Sequence, residues 1–188
     1  MRNPNMQDAE LAALALAGDR EAFGELVGRY AGQARRLARA VLGDPDEADD
    51  AAQDGFLAAL RHLGRYDPER PFGPWLMRIV TNAACDRRRR RKVRAAEPLS
   101  ERLGSGEARP DVVTDRRGFQ QAVVAALETL PERQRIAIVL FDVEGYSHRE
   151  VARILGVPEG TARSDVFHAR RTLRSELGAW KDWTEETG

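Results

Sequence analysis

The sequence predicts an all-α protein made of two small helical domains joined by a flexible linker. Three observations support this prediction. Apolar residues recur at helical spacing through most of the 188 residues, no segment alternates convincingly like a strand, and residues 96–115 lose periodicity and gain Gly, Pro and Ser. We assign residues 1–95 to the first domain, 96–115 to the linker, 116–180 to the second domain and 181–188 to a short tail.

The charge of the chain is balanced overall but unevenly distributed. The 30 basic and 30 acidic side chains give a formal net charge of zero. Residues 1–60 carry 6 basic and 11 acidic side chains, a net charge of −5, whereas residues 61–94 carry 11 basic and 3 acidic ones, a net charge of +8. Opposed blocks of this kind indicate two partners of opposite sign.

Several classes of protein are disfavoured by composition. Cys85 is the only cysteine, which excludes a disulfide framework and argues against a zinc cluster. No apolar run is long enough to cross a membrane, and acidic residues precede the short run at 11–18, so we expect neither a span nor a signal peptide but a soluble cytoplasmic protein. The histidines are scattered, so we expect no enzyme, no metal and no cofactor.

Helix signals divide the first domain. Asp19 is a predicted N-cap for a helix that stops at Gly43, and a second helix begins near Pro45. Residues 64–74 contain three prolines and two glycines and are predicted to form a loop. A third helix is predicted from Trp75 into the arginine run that follows it, because no helix breaker separates the two.

The second domain contains a predicted helix-turn-helix over residues 147–173, within helices at 116–129, 131–143, 147–155 and 159–177. Ser147 and Glu150 form a capping box, Gly156 suits a left-handed turn, and Pro158 suits the start of a helix. The last helix has a buried face of Ala162, Val166, Ala169 and Leu173. Its opposite face fits the DNA major groove and consists of Glu159, Arg163, Ser164, Phe167, Arg170, Arg171 and Arg174.

The second helix of the first domain begins in a dense group of acids, namely Asp44, Asp46, Glu47, Asp49, Asp50 and Asp54. Acids at a helix N-terminus favour the helix dipole. Six acids exceed what capping requires, so a basic protein partner is an equally good explanation. A calcium loop is excluded, because its sixth position would be Asp49 and its twelfth Gly55.

The third helix carries a polar stripe that points to nucleic acid. Arg78, Asn82 and Asp86 recur every four residues, and the stripe continues to Arg89 and Arg90, where we expect phosphate contacts and an Asp86–Arg90 ion pair. At the start of the helix, the aromatic rings of Phe72 and Trp75 offer flat surfaces for an unstacked base. For a lone tryptophan such as Trp75, packing in the core is the commoner role.

Three motifs in order resemble the extracytoplasmic-function (ECF) group of bacterial RNA polymerase sigma factors, over residues 10–177. The acidic pattern appears as Asp50, Gln53, Asp54 and Phe56. The basic-helix pattern appears as Trp75, Leu76, Arg78, Ile79, Asn82, Asp86, Arg89 and Arg90. The helix-turn-helix pattern appears as Leu130, Pro131, Arg135, Gly145, Ser147, Glu150, Val151, Ala152, Leu155, Gly156, Val157, Pro158, Gly160 and Thr161.

The resemblance implies a sigma region 2 domain followed by a sigma region 4 domain that direct promoter-specific transcription initiation. Core RNA polymerase would bind Asp49, Asp50, Gln53, Asp54 and Phe56. The −10 element would be recognised and melted by Phe72, Trp75, Arg78, Asn82, Arg89 and Arg90. The −35 element would be contacted by Glu159, Thr161, Arg163, Ser164, Phe167, Arg170 and Arg171. The resemblance also implies an anti-sigma factor as a partner.

The recognition helix departs from the family pattern at Asp165, where a basic residue is usual. An acid facing DNA would repel phosphate or accept from a cytosine amino group, and Phe167 could meet a thymine methyl, so we expect an atypical −35 sequence.

Two other functions compete. A dimeric helix-turn-helix regulator of the response-regulator output type predicts a strand-containing first domain. An anti-sigma or adaptor protein that binds polymerase without DNA leaves the basic stripe unexplained.

Overall fold

The computed structural model describes residues 6–96 and 115–178, and every regular element within these two ranges is helical. This confirms the all-α prediction. The predicted linker falls almost wholly outside the described residues. The elements are α1 (Asp8–Leu16), α2 (Arg20–Leu42), α3 (Pro45–His62), a 3₁₀ turn (Leu63–Arg65), α4 (Phe72–Ala96), α5 (Asp115–Thr129), α6 (Glu132–Ile138) with a π-helical turn (Val139–Val143), α7 (His148–Leu155) and α8 (Glu159–Glu176).

The predicted cap of α2 at Asp19 and the predicted end of this helix at Gly43 are confirmed. The Asp19 carboxylate accepts hydrogen bonds from the backbone N–H groups of Glu21 and Ala22, at 3.0 and 3.1 Å. Asp44, which was not predicted as a cap, caps α3 by accepting a hydrogen bond from the Glu47 N–H at 2.8 Å, and Pro45 occupies the first turn. Gly43 ends α2 at φ 78°, a left-handed backbone that disfavours any other residue.

Helix α1 was not predicted. Its run "LAALALA" is apolar on all sides and lacks the periodicity that marks an amphipathic helix, which explains the omission. Contacts with α2 hold it in place: Leu11 is fully buried, and Asp8 accepts hydrogen bonds from Arg29, at 2.7 Å, and from the Tyr30 hydroxyl.

Helix α4 begins at Phe72, three residues earlier than predicted, because Pro74 is tolerated in a first helical turn. It runs without interruption to Ala96, so the arginine run is part of an ordered helix, as predicted.

Helices α2, α3 and α4 form the core of the first domain, and α3 and α4 cross very closely at Gly55. A Cβ atom on Gly55 would lie 2.8 Å from Val80 Cγ2 and 3.1 Å from Val80 Cα. The side chain on α4 and its backbone therefore both occupy the space that any larger residue would need.

The second domain is the predicted helix-turn-helix, with α6 packed beneath it. The Ser147–Glu150 capping box is formed, with the Ser147 N–H 2.9 Å from a Glu150 carboxylate oxygen. Gly156 adopts the left-handed conformation at φ 68°. Three of the four predicted core residues of α8 are buried, and Leu173 is partly buried.

The two domains pack against each other in what we call the closed arrangement. The Glu144 side chain is only 1% exposed and accepts two hydrogen bonds from Arg36 of α2, at 2.6 and 2.9 Å. The Tyr146 hydroxyl donates to the Gln33 side chain at 3.0 Å. A Cβ on Gly73 would lie 2.9 Å from that hydroxyl oxygen, so a larger residue there would collide with the second domain.

We predict that Gly55→Ala lowers the free energy of unfolding by about 1–2 kcal/mol, because the overpacking cost exceeds the gain in helix propensity. The measurement is urea unfolding of the full chain.

The matched control is Gly28→Ala on α2, where nothing lies within 4 Å of the new Cβ. This substitution should stabilise the chain by about 0.5–1 kcal/mol. Equal stabilisation by both variants would contradict the close crossing.

Candidate nucleic-acid interface

The polar stripe on α4 is exposed along its whole length, from Arg78 through Asn82 to Arg90. Asp86 pairs with Arg89 at 3.3 Å, and Arg90 forms no ion pair with any described residue. The predicted Asp86–Arg90 pair is therefore wrong, because the Asp86 carboxylate pairs with Arg89 instead. Arg90 keeps a full positive charge available to phosphate.

The other arginines of the run point to protein. Arg87 contacts Asp50 at 2.6 Å and Asp54 at 3.3 Å. Arg91 contacts Glu47 at 2.7 Å and donates to the Leu42 carbonyl oxygen at 3.2 Å. These pairs fasten α4 to α3 and to the end of α2. The sequence analysis did not identify these contacts, because the acids lie on another helix, more than 30 residues earlier in the chain.

Arg88 faces the second domain, where its guanidinium pairs with Glu132 of α6. The Cys85 thiol donates to the same carboxylate at 3.2 Å. Burial, followed by this neighbouring carboxylate, raises the pKa of the Cys85 thiol to about 12. The cysteine is therefore protonated near neutral pH and is a poor nucleophile.

Arg135, part of the helix-turn-helix motif, also serves the domain interface. Its side chain is buried, and its Nη2 lies 3.4 Å from the Val41 carbonyl oxygen of α2. Burial, with the nearby Arg88, lowers the pKa of this guanidinium. The helix-turn-helix motif does not predict this interface contact of Arg135, because α2 and α6 are far apart in the sequence and meet only in the folded chain.

The acids of α3 are exposed but paired within the domain. Asp49 lies 3.2 Å from Arg35, and Asp50 and Asp54 share Arg87. Gln53 is exposed, whereas Phe56 is partly buried against the core. The surface offers carboxylates on one side of α3, and any basic partner must compete with the arginines that already hold them.

The aromatic residues at the start of α4 form one cluster. Phe72 is 2% exposed, and its ring packs against Tyr30, Tyr66 and Trp75 with centroid distances of 5.2–5.6 Å. The expectation that Phe72 offers an open ring is not met, because these three neighbours enclose it. Trp75 is only partly buried, so its ring is the one that lines the surface.

The outward face of α8 is exposed as predicted, including Phe167 at 62% exposure. Thr161 is half-buried at the start of the helix. Two arginines are held by neighbouring acids: Arg163 pairs with Glu159 at 3.2 Å, and Arg170 pairs with Asp142. The Arg170 guanidinium also lies 5.0 Å above the Phe141 ring.

Asp165 does not belong to the outward face, which corrects the expectation that it meets DNA. Its side chain is 6% exposed, and its two oxygens accept hydrogen bonds from Arg133 of α6 at 2.6 and 3.2 Å. The sequence showed that Asp165 departs from the family pattern, but it did not show that Arg133, 32 residues away, is the partner of Asp165. The pair joins α8 to α6, so an atypical −35 preference now has support only from Phe167.

We predict unequal effects from breaking this ion pair. Arg133→Ala leaves the buried Asp165 carboxylate without its partner and should lower the free energy of unfolding by about 3 kcal/mol. This is the low end for a buried unpaired charge, because the removal of the arginine side chain lets water reach the carboxylate. Asp165→Ala frees a half-exposed arginine, which returns to water, and should cost about 1 kcal/mol.

Urea unfolding of both single variants and of the double variant measures this difference. The double variant should be more stable than Arg133→Ala alone. Equal costs for the two single substitutions would contradict a buried acid held by an exposed arginine.

Two family models match the chain in the order of its two domains. Sigma-70 region 2 matches residues 26–94, and Sigma-70 region 4 matches residues 120–173. The chain is 42% identical to the ECF RNA polymerase sigma factor SigM of Mycobacterium tuberculosis over 91% of its own length and 85% of that protein. It is 37% identical to the RNA polymerase sigma factor CnrH of Cupriavidus metallidurans, over 94% of this chain and 97% of that one.

Two solved structures resemble the fold. The structure of CnrH in complex with the cytosolic domain of CnrY has a TM-score of 0.70 and 30% identity, covering 92% of this chain and 97% of that one. The sigma factor RpoE in complex with the anti-sigma factor NepR, from Bartonella quintana, has a TM-score of 0.66 and 25% identity, covering 83% and 96%. With both family models and close relatives over nearly its whole length, the chain belongs to the ECF group of sigma-70 RNA polymerase sigma factors.

Proposed function

We propose that this chain binds core RNA polymerase and directs promoter-specific initiation. The observation that supports it most is one domain presenting an acidic face on α3 and an exposed basic stripe on α4, followed by a helix-turn-helix. In this role the chain makes and breaks no bond, so it is not an enzyme, and it works in the cytoplasm beside polymerase and chromosome. No helix in the described ranges is long and apolar enough to cross a membrane.

The acids of α3 are the proposed polymerase contact, with Asp49, Asp50 and Asp54 as charges and Gln53 as the neutral member. Phe56 supports the surface from below, because it packs against the core. Docking must release these carboxylates from Arg35 and Arg87, so the partner has to offer at least as much positive charge. This requirement favours a basic polymerase surface over a neutral one.

The stripe on α4 is the proposed −10 contact. Asn82 can pair with a base edge, Arg78, Arg89 and Arg90 can hold phosphate, and Trp75 can stack on an extruded base. Phe72 would contribute by supporting Trp75, whose ring centroid lies 5.4 Å away. Extruding a base costs a few kcal/mol, which stacking and hydrogen bonds in the site must offset.

The outward face of α8 is the proposed −35 contact. Exposed Arg171 can reach phosphate, and exposed Ser164 and Phe167 lie nearer the N-terminal half, which faces the bases in a helix-turn-helix. The pairs that hold Arg163 and Arg170 pre-organise their guanidinium groups, at the cost of competing with DNA. Glu159 and Thr161 lie at the start of the helix.

Promoter binding requires the closed arrangement to open. Elements centred about 25 base pairs apart are separated by roughly 85 Å of B-DNA, at 3.4 Å per base pair. Helices α4 and α7 pack together in the closed arrangement, so the two proposed DNA surfaces cannot reach both elements. An anti-sigma factor is a further proposed partner, by analogy with the solved complexes, since a protein that keeps the domains together would block both contacts.

The proposal is tested by in vitro transcription with core polymerase and genomic fragments. Adding the chain should produce initiation at a small set of promoters. Absence of promoter-dependent initiation, despite measurable binding to core polymerase, would overturn it. No strand occurs in residues 6–96, so the response-regulator alternative is not favoured.

We predict that Arg89→Ala plus Arg90→Ala weakens promoter binding by the holoenzyme while binding to core polymerase is unchanged. The slope of log K against log salt should fall by about 1.4–1.8, for two lost phosphate contacts. The measurement is a salt titration of promoter binding.

The control removes two exposed arginines from other helices, as Arg20→Ala plus Arg61→Ala, and should leave the slope unchanged. Equal loss of core and promoter binding in the Arg89/Arg90 variant would count against the assignment.

A further inference from the structure

A cleft of about 440 Å³ lies between the two domains, where α4 and the loop before it face α7 and the turn after it. We call it the arginine cleft. Its charged and aromatic lining comes from both domains and consists of Arg70, Trp75, Arg78, Arg149, Arg153 and Glu159. Four guanidinium groups line the cleft, and one of them, Arg70, pairs with Asp67 at 3.0 Å. The single carboxylate of the lining, Glu159, pairs with Arg163.

Other arginines between the domains meet carboxylates, as Arg36 does with Glu144 and Arg88 with Glu132. In the cleft, Arg78, Arg149 and Arg153 form no ion pair with any described residue. Unpaired guanidinium groups on both sides of one cleft are suited to bind a small anion.

The two sides of the cleft are close enough to hold one small ligand. Arg78 of α4 reaches the helix-turn-helix, where its Nη2 would lie 3.8 Å from a Cβ built on Gly156. Trp75 contributes a wall that is partly buried, with its ring packed against Tyr66 at a centroid distance of 5.3 Å. The volume lies within the usual range for small-molecule sites, about 300–1,000 Å³.

We propose that the arginine cleft binds a phosphate polyanion, preferably a nucleoside triphosphate, that holds the two domains closed. Guanidinium groups match phosphate oxygens in pairs, and an aromatic face next to arginines suits a nucleobase. A triphosphate would also supply the negative charge that Arg78, Arg149 and Arg153 do not find among the described residues. A ligand that binds only the closed arrangement shifts the population towards it.

The ligand would regulate promoter binding. Arg78 and Trp75 belong to the proposed −10 surface, so the same groups cannot hold the ligand and DNA together. Arg149 and Arg153 line the cleft but belong to neither proposed DNA surface. Substitutions at these two positions therefore test the cleft without removing a proposed promoter contact. This consequence depends on the proposed function, whereas ligand binding to the free chain does not.

The experiment is titration calorimetry of the full chain with ATP, tripolyphosphate and adenosine at constant ionic strength. We expect saturable binding of ATP and tripolyphosphate, with ATP about tenfold tighter because its base can stack, and no measurable binding of adenosine. Tighter binding of tripolyphosphate than of ATP would overturn the preference for a nucleotide. No saturable binding of either, or equal competition by sulfate, would overturn the proposal.

Two variants locate the site. Arg149→Gln plus Arg153→Gln, and separately Arg153→Glu, should weaken ATP binding at least tenfold. Both positions are exposed, and unchanged circular dichroism would confirm that each variant folds. The matched control, Arg61→Gln plus Arg65→Gln, removes two exposed arginines outside the cleft and should bind ATP as the parent chain does. ATP binding unchanged by the cleft variants would overturn the assignment.

Closure is measured through the single cysteine. Cys85 contacts Glu132 across the domain interface, so separation of the domains should expose its thiol to alkylation. ATP should slow the alkylation of Cys85 in the parent chain and have no effect in the Arg149/Arg153 variant. An unchanged alkylation rate at saturating ATP would show that the ligand does not hold the domains closed.

Discussion

The close crossing of α3 and α4 at Gly55 determines where the charged surfaces of the first domain lie. With no side chain at Gly55, Val80 can approach the backbone of α3, and the two antiparallel helices take one register. That register brings Arg87 to Asp50 and Asp54, and Arg91 to Glu47. The acids and the arginines are therefore one paired seam, and the proposed polymerase surface borders directly on the proposed DNA surface.

The arginines of the run have different roles because of this seam. Arg87 and Arg91 fasten α4 to the rest of the first domain, Arg88 meets the second domain, and Arg89 and Arg90 stay exposed. Such a division follows from helical geometry, because consecutive residues are 100° apart and successive side chains face different neighbours. The helix that carries the proposed −10 contacts is thus held within the first domain by the ion pairs of Arg87 and Arg91, which keep its exposed stripe in a fixed orientation.

Much of this could be predicted from the sequence, because the informative signals are local. The caps at Asp19 and Ser147, the stop at Gly43 and the buried face of α8 depend on residues close together in the chain. The errors have non-local causes. Phe72 is enclosed by rings from α2 and from the preceding loop, and Asp165 is turned inward by Arg133, 32 residues away. Helix α1 has no periodicity, and the closed arrangement depends on contacts that no motif encodes.

In the mechanism we propose, one chain alternates between a closed arrangement and an open form that reaches both promoter elements. The ion pair between Glu144 and Arg36 holds it closed. The test is the distance between spin labels at two exposed positions, introduced as Lys92→Cys on α4 and Ser175→Cys on α8, with Cys85→Ser to remove the native thiol. The free chain should give one short distance, and the holoenzyme on promoter DNA a distance longer by tens of ångströms. The same short distance in both states would contradict the account.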